Sequence, residues 1–133
     1  MIFSDIENTI NKSVSQGAEI IFGGKKIEKE GNYFEPTLIY CPHRDIETLK
    51  IEMFGPVISL IEFDSEEDAI ELANDSEYGL GSGLFTKDLS RAHRVSKEIK
   101  AGICWINTYR VISPIAAFGG FNQSGYARGE GKQ

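Results

Sequence analysis

Residues 57–107, VISLIEFDSEEDAIELANDSEYGLGSGLFTKDLSRAHRVSKEIKAGICWIN, decide the fold. Val57 to Phe63 is a β-branched and apolar run of strand length. Asp64-Ser65-Glu66-Glu67-Asp68 follows, placing capping residues and acids where a helix begins and the helix dipole favours negative charge. Ala69, Ile70, Leu72 and Ala73 then predict a helix to about Asn74, with those four on its buried face. Gly79 to Phe85 holds a second short strand, Thr86-Lys87-Asp88 opens a second helix, and Gly102 to Asn107 is a third strand. Strand, helix, strand, helix, strand with short links predicts right-handed βαβ units and a mostly parallel sheet, an α/β fold.

Upstream the pattern is less regular. Ser4 to Ser15 reads as a helix capped by Ser4 with Glu7 completing a capping box, and Ile6, Ile10 and Val14 form its apolar stripe. Ala18 to Phe22 is a short β run closed by Gly23-Gly24, and the polar stretch Lys25 to Asn32 reads as an exposed hairpin or loop. Tyr33 to Tyr40 is a strand in which Pro36 argues for an edge position. Arg44 to Ile51 is weakly helical. Downstream, from Thr108, the chain is rich in Gly, Ser and Pro and reads as loop. No linker or repeat interrupts it, so residues 1–133 are expected to form a single domain.

Composition narrows the function classes. The 133 residues are 41% hydrophobic and 26% charged, enough apolar surface for a core. The longest apolar run, Pro56 to Ile61, is broken by Ser59 and falls far short of the roughly 20 residues of a membrane helix. Fourteen Lys and Arg against 20 Asp and Glu give a net charge of −6, which argues against a nucleic-acid-binding face. The start of the chain lacks the basic and apolar regions of a signal peptide. With two cysteines no disulfide framework is expected, and the cytoplasm is the expected location.

Few residues suggest chemistry by themselves. Cys104 lies in an apolar strand and reads as packed rather than reactive, because a nucleophilic thiol needs an activating base within reach. His43 and His93 are the two histidines, and His93 falls mid-helix. Cys41-Pro42-His43 is too small a set for a metal site, so none is expected. Glu52-Met53-Phe54-Gly55-Pro56 is more suggestive: a carboxylate could bind ribose hydroxyls while the neighbouring ring packs on a planar heterocycle. Phe118-Gly119-Gly120-Phe121-Asn122-Gln123-Ser124-Gly125 could bring backbone close to a ligand and wall an apolar pocket. It carries no P-loop or dinucleotide fingerprint. For the first cluster the alternative is a turn with a buried Phe, and for the second an ordered surface loop.

Taken in order, these pieces resemble the C-terminal part of the NAD(P)-dependent aldehyde dehydrogenase superfamily. The matching segments are Gly17-Ala18 with Gly23-Gly24; Tyr33-Phe34-Glu35-Pro36-Thr37-Leu38; and Glu52-Met53-Phe54-Gly55-Pro56-Val57. They continue with Ala69 to Asn74 and Tyr78-Gly79-Leu80; Gly83 to Thr86 with Asp88-Leu89; Gly102 with Trp105-Ile106-Asn107; and Phe118-Gly119-Gly120 with Gln123-Ser124-Gly125 and Arg128. Each segment is weak by itself, but seven in register across the whole chain are specific.

The resemblance implies a partial aldehyde dehydrogenase catalytic domain, whose complete enzyme oxidises an aldehyde to a carboxylic acid with NAD or NADP. It implies that Glu52 binds the nicotinamide ribose, that Phe54 contacts the nicotinamide end, and that Val111, Ile112 and Phe118 face the aldehyde. Asn107 and Trp105 are implied to fix that loop. The family's nucleophilic cysteine and general-base glutamate lie upstream of the matched region, so no catalytic residue is assigned and the chain alone is expected to be inactive. The family continues past this region into a strand that pairs with a partner subunit. The expected partners are therefore an aldehyde in the complete enzyme, and a second copy or an N-terminal chain. Association without catalysis is the alternative expectation.

Overall fold

In the computed structural model, which describes residues 3–129 and 131, the first helix, α1, spans Phe3–Ser15. Ser4 is therefore inside the helix rather than its cap. Ile6 and Ile10 are buried as their spacing predicts, but Val14 is 42% exposed. Its expected place is taken by Thr9 and Ser13, so the inward stripe follows positions 6, 9, 10 and 13, the i, i+3, i+4, i+7 pattern of one helix face. Ser13 earns its burial through a hydrogen bond, since its Oγ accepts from the Thr48 N–H at 3.1 Å.

That contact explains the weak helix α2, Glu47–Lys50. Its N-cap, Ile46, offers no side-chain acceptor. The two leading N–H groups are instead satisfied from the end of α1 and the residue after it: Glu47 donates to Gln16 Oε1 at 2.8 Å and Thr48 to Ser13 Oγ. A Lys12–Glu47 ion pair at 2.8 Å joins the same two elements.

Three strands complete this first unit, which runs to Glu62: β1 (Glu19–Phe22), β2 (Thr37–Tyr40) and β3 (Val57–Leu60). β1 pairs antiparallel with β2, with a register irregularity between Ile20 and Phe22, and β2 pairs parallel with β3, Thr37 opposite Val57. β2 is thus the central strand, contrary to the edge position that Pro36 suggested. Pro36 stands just before the ladder, whose first bond runs from Thr37 N–H to the Pro56 carbonyl at 2.8 Å, so its missing N–H costs the sheet nothing. Ile6, Ile10, Ala18, Phe34, Ile39, Cys41 and Ile46 form the core. The stretch after Gly24 does fold back as a hairpin, with Ile27 N–H donating to the Tyr33 carbonyl at 3.0 Å.

The second unit begins at Phe63. It contains α3 (Glu66–Asn74), β4 (Gly81–Leu84), α4 (Leu89–Glu98), β5 (Ile103–Ile106) and a short 3-10 turn at Asn122–Ser124. Ser65 and Asp88 cap the helices as their sequence predicts, each side chain accepting from the N–H three residues on. β4 and β5 are parallel, Gly81 opposite Ile103, so β4–α4–β5 is the expected βαβ unit. β3 does not extend this sheet; its parallel neighbour is β2. Of the four apolar residues expected on the buried face of α3, Ala69, Ile70 and Leu72 are only half-buried and Ala73 is exposed. The fold is a mixed α/β one with small parallel sheets.

Candidate functional site

The segment between α2 and β3 is organised by alternation. Met53 packs against the core of the first unit, which turns its neighbours Glu52 and Phe54 away from that core. Glu52 is exposed, and its carboxylate makes no hydrogen bond with a described residue. The Phe54 ring is 69% exposed. It borders a groove of about 250 Å³ with Ile6, Asn32, Tyr33, Phe34 and Gly55-Pro56. Gly55 lies under α1, where an added Cβ would come within 2.6 Å of Ile6 Cδ1, so glycine lets the segment close on the helix. A carboxylate and an aromatic face thus stand two residues apart on one exposed segment. Of the groove residues, Asn32 had no signal in the sequence beyond lying in a loop, and Tyr33 reads there as the start of a strand, which in the structure begins at Thr37.

In the second unit, β5 runs into the loop that carries Val111 and Ile112. Asn107 closes the end of the strand with a reciprocal pair of bonds, accepting from Thr86 N–H at 2.8 Å and donating to the Thr86 carbonyl at 2.9 Å. Its backbone is left-handed, φ 55°, a conformation that asparagine tolerates better than most residues. Trp105 Nε1 donates to the Val111 carbonyl at 2.7 Å and its ring meets Tyr109 edge-on, with centroids 5.1 Å apart. Held this way, Val111 and Ile112 remain 65% and 55% exposed. Phe118 belongs to a different local structure, half-buried in a bridge with Gly129 whose two N–H···O bonds are each 2.8 Å.

In the glycine-rich tail Gly119 and Gly120 face the chain itself, and Gly125 faces open space. A Cβ on Gly102 would overlap the Gly119 carbonyl oxygen, and one on Gly120 would come within 2.5 Å of Ser124 Cβ. The Gly79 carbonyl accepts from both Gly102 and Phe121, at 3.0 and 2.9 Å, and Ser124 Oγ accepts from Gly79 N–H at 3.0 Å. The glycines let the tail pack against its own chain. Arg128 joins in, donating to the Gly120 carbonyl and lying 4.7 Å from the Phe121 ring centroid.

The charged cluster of this unit binds its helices together. Glu66, in the first turn of α3, takes Arg94 through both oxygens, at 2.6 and 2.8 Å, and Arg91 at 3.0 Å. The Arg94 hydrogen bond, foremost, holds the Glu66 carboxyl below the usual carboxylate range. In the first unit, the hydrogen bond to Glu62 holds the Tyr40 hydroxyl above its ordinary value. Cys41 is buried with Sγ 3.7 Å from Thr48 Oγ1, and Cys104 is partly buried on β5. His43 is hydrogen-bonded to the Gln16 carbonyl at 3.1 Å, and His93 is exposed on α4. Among the described residues no group of three or more His, Cys, Asp or Glu is placed to hold a metal ion, and no helix is long and apolar enough to cross a membrane.

Comparison with known proteins identifies the class to which this arrangement belongs. The family model described as "Aldehyde dehydrogenase family" matches residues 2–133. The (Z)-2-((N-methylformamido)methylene)-5-hydroxybutyrolactone dehydrogenase of Acinetobacter baylyi is 46% identical over 124 residues, 92% of this chain and 25% of that protein. The 4-trimethylaminobutyraldehyde dehydrogenase of Sus scrofa is 42% identical over 123 residues, 88% of this chain and 25% of that protein. Among solved structures, Escherichia coli lactaldehyde dehydrogenase superposes with a TM-score of 0.92 at 34% identity, over 97% of this chain and 27% of its own. The P. syringae indole-3-acetaldehyde dehydrogenase in complex with NAD+ gives 0.91 at 38% identity, over 96% of this chain and 26% of its own.

The chain belongs to the aldehyde dehydrogenase family. It spans about a quarter of the length of the curated relatives it matches.

Proposed function

We propose that this chain is the C-terminal part of an NAD(P)-dependent aldehyde dehydrogenase, where it supplies the clamp on the nicotinamide end of the cofactor and one wall of the aldehyde tunnel. The observation that carries the reading is the Glu52–Phe54 pair. An exposed carboxylate with no hydrogen-bond partner among the described residues stands beside Phe54, which is 69% exposed, in a family whose chemistry uses a dinucleotide. The fit is chemical: two carboxylate oxygens accept from two vicinal ribose hydroxyls, and the ring covers a planar heterocycle. When bound, the cofactor supplies the hydride acceptor.

The chain's own residues then bind and orient. Glu52 fixes the ribose and Phe54 the face of the nicotinamide. Val111, Ile112 and Phe118 present apolar surface to the aldehyde and keep water from it, with Trp105 and Asn107 holding the loop in place. None of these side chains supplies the attacking thiolate or the general base, so the 133 residues alone do not oxidise aldehydes. Incubating the purified chain with NAD+ and propanal should produce no NADH absorbance; cysteine-dependent turnover would overturn this reading.

A second reading has its own observation. Phe63, Phe85, Leu89 and Ile115 are 61%, 72%, 70% and 85% exposed, and Phe63 and Phe85 border an apolar groove of about 530 Å³ on the second unit. Such surface favours a chain that works by association, with an N-terminal partner chain or with itself. Sedimentation of the chain as a strict monomer, with and without an N-terminal aldehyde dehydrogenase segment, would remove this alternative.

A further inference from the structure

Arg110 is the only charged residue between Ala101 and Ala127. It stands in the middle of an exposed apolar loop, between Tyr109 at 55% exposure and Val111 at 65%. Its backbone is left-handed, φ 60°. The other described non-glycine residues with positive φ are Asn107 and Asn122, of the type that tolerates this conformation. A long charged side chain is therefore held at a strained position in apolar surroundings.

The surroundings of Arg110 are preorganised. Its guanidinium carbon lies 5.7 Å from the Tyr109 ring centroid. Tyr109 is braced by Trp105 on one side and by β4 on the other, where a Cβ on Gly83 would come within 3.0 Å of Tyr109 Cδ2. The other arginines of this unit spend N–H groups on the chain: Arg91 and Arg94 on Glu66, Arg128 on the Gly120 carbonyl. Arg110 makes no hydrogen bond or ion pair with a described residue. Stacking on a ring leaves the planar N–H fork free to take a carboxylate through two parallel bonds.

We propose that Arg110 selects aldehydes whose far end carries a carboxylate, holding that group while the intervening methylenes lie along Val111 and Ile112. The inference rests on the proposed role of Val111 and Ile112 as aldehyde-facing residues. Simple surface packing of Arg110 on Tyr109 is the competing account, and it requires no preference for anions.

The two are separated by titrating the isotopically labelled 133-residue chain with 5-oxopentanoate and with pentanal, following the Val111 and Ile112 methyl signals and the Arg110 Nε–H. The expected result is binding of 5-oxopentanoate about fivefold tighter than pentanal or better, the preference falling as salt is raised. Arg110→Gln should abolish the preference and Arg110→Lys should keep part of it. Equal affinities in the unaltered chain, or an undiminished preference in Arg110→Gln, overturn the proposal. So does inorganic phosphate moving the Arg110 signal as strongly as 5-oxopentanoate, since that marks an unselective anion site. If both aldehydes shift the Val111 and Ile112 methyls alike, the tunnel reading stands and Arg110 selection falls. If neither aldehyde shifts them, both fall.

Discussion

The two units of this chain are built on different balances. The first closes a core: Ile10, Ile39, Cys41 and Ile46 are at most 1% exposed, and the polar groups that accompany them, Ser13 and Thr48, are hydrogen-bonded. In the second, among the described residues, only Ala92 and Gly120 are buried. Its elements are tied instead by polar clasps. Asn107 joins β5 to Thr86, Asn74 binds both the Glu98 carbonyl and the Lys100 N–H at the end of α4, and Glu66 gathers Arg91 and Arg94. The aldehyde-facing candidates lie in this second unit, so their exposure goes with a region that carries its apolar residues outside. The cofactor candidates lie on the first, where Met53 packs the segment that carries Glu52 and Phe54 against the core.

The largest expected effect tests that contrast directly. Ile39→Ala in the central strand should cost about 3 kcal/mol in urea unfolding, the ordinary penalty of a cavity in a closed core. Ile115→Ala, at 85% exposure, should stay within about 0.5 kcal/mol. Similar losses at the two positions would erase the distinction. Next in size, Asn107→Ala removes both Thr86 bonds and leaves alanine in a left-handed backbone, for an expected loss of about 1 to 2 kcal/mol. Asn107→Gly should recover the conformational part, and an unchanged melting temperature in both variants would show that the clasp contributes nothing.

The smallest effect is a pH dependence. The Glu66 carboxyl is lowered in the folded chain, chiefly by the Arg94 hydrogen bond. Its contribution is therefore fully present above the unfolded carboxyl value, about 4.3, and is lost as pH falls through the lower folded value. The melting temperature of the unaltered chain should exceed that of Glu66→Gln at pH 6 and converge with it at acid pH. A difference that persists or grows on acidification would contradict the assignment.

How far the sequence could be read follows from where each element finds its partners. Ser65 and Asp88 announced their helices because a cap is a local device, and β4–α4–β5 followed from local spacing. Glu52, Phe54 and the 107–118 loop came from the resemblance of their motifs to the family, not from a local physical signal. The buried Ser13 was not legible, because its reason is Thr48, 35 residues away. α2 looked weak because its caps come from Ser13 and Gln16, at and just past the end of α1, rather than from its own neighbours. Pro36 misled because the rule against proline in a central strand applies to the ladder, and the ladder begins one residue later. The glycines of the tail looked like room for a ligand, while their neighbours, Gly102 against Gly119 and Gly120 against Ser124, are set by tertiary packing. Arg110 did leave a signal, a lone charge in 27 residues of uncharged chain from Ala101 to Ala127, but its backbone strain did not.

The central claim is that this chain of the aldehyde dehydrogenase family carries a clamp for the nicotinamide end of the cofactor. Its most direct test is titration of the labelled chain with nicotinamide mononucleotide, following the Phe54 ring and Glu52 backbone signals. The account predicts saturable shifts at both positions that disappear in Glu52→Ala while the fold, judged by the Ile39 and Cys41 amide signals, is unchanged. Shifts that survive Glu52→Ala unaltered, or no shift at Phe54 at saturating ligand, would contradict it.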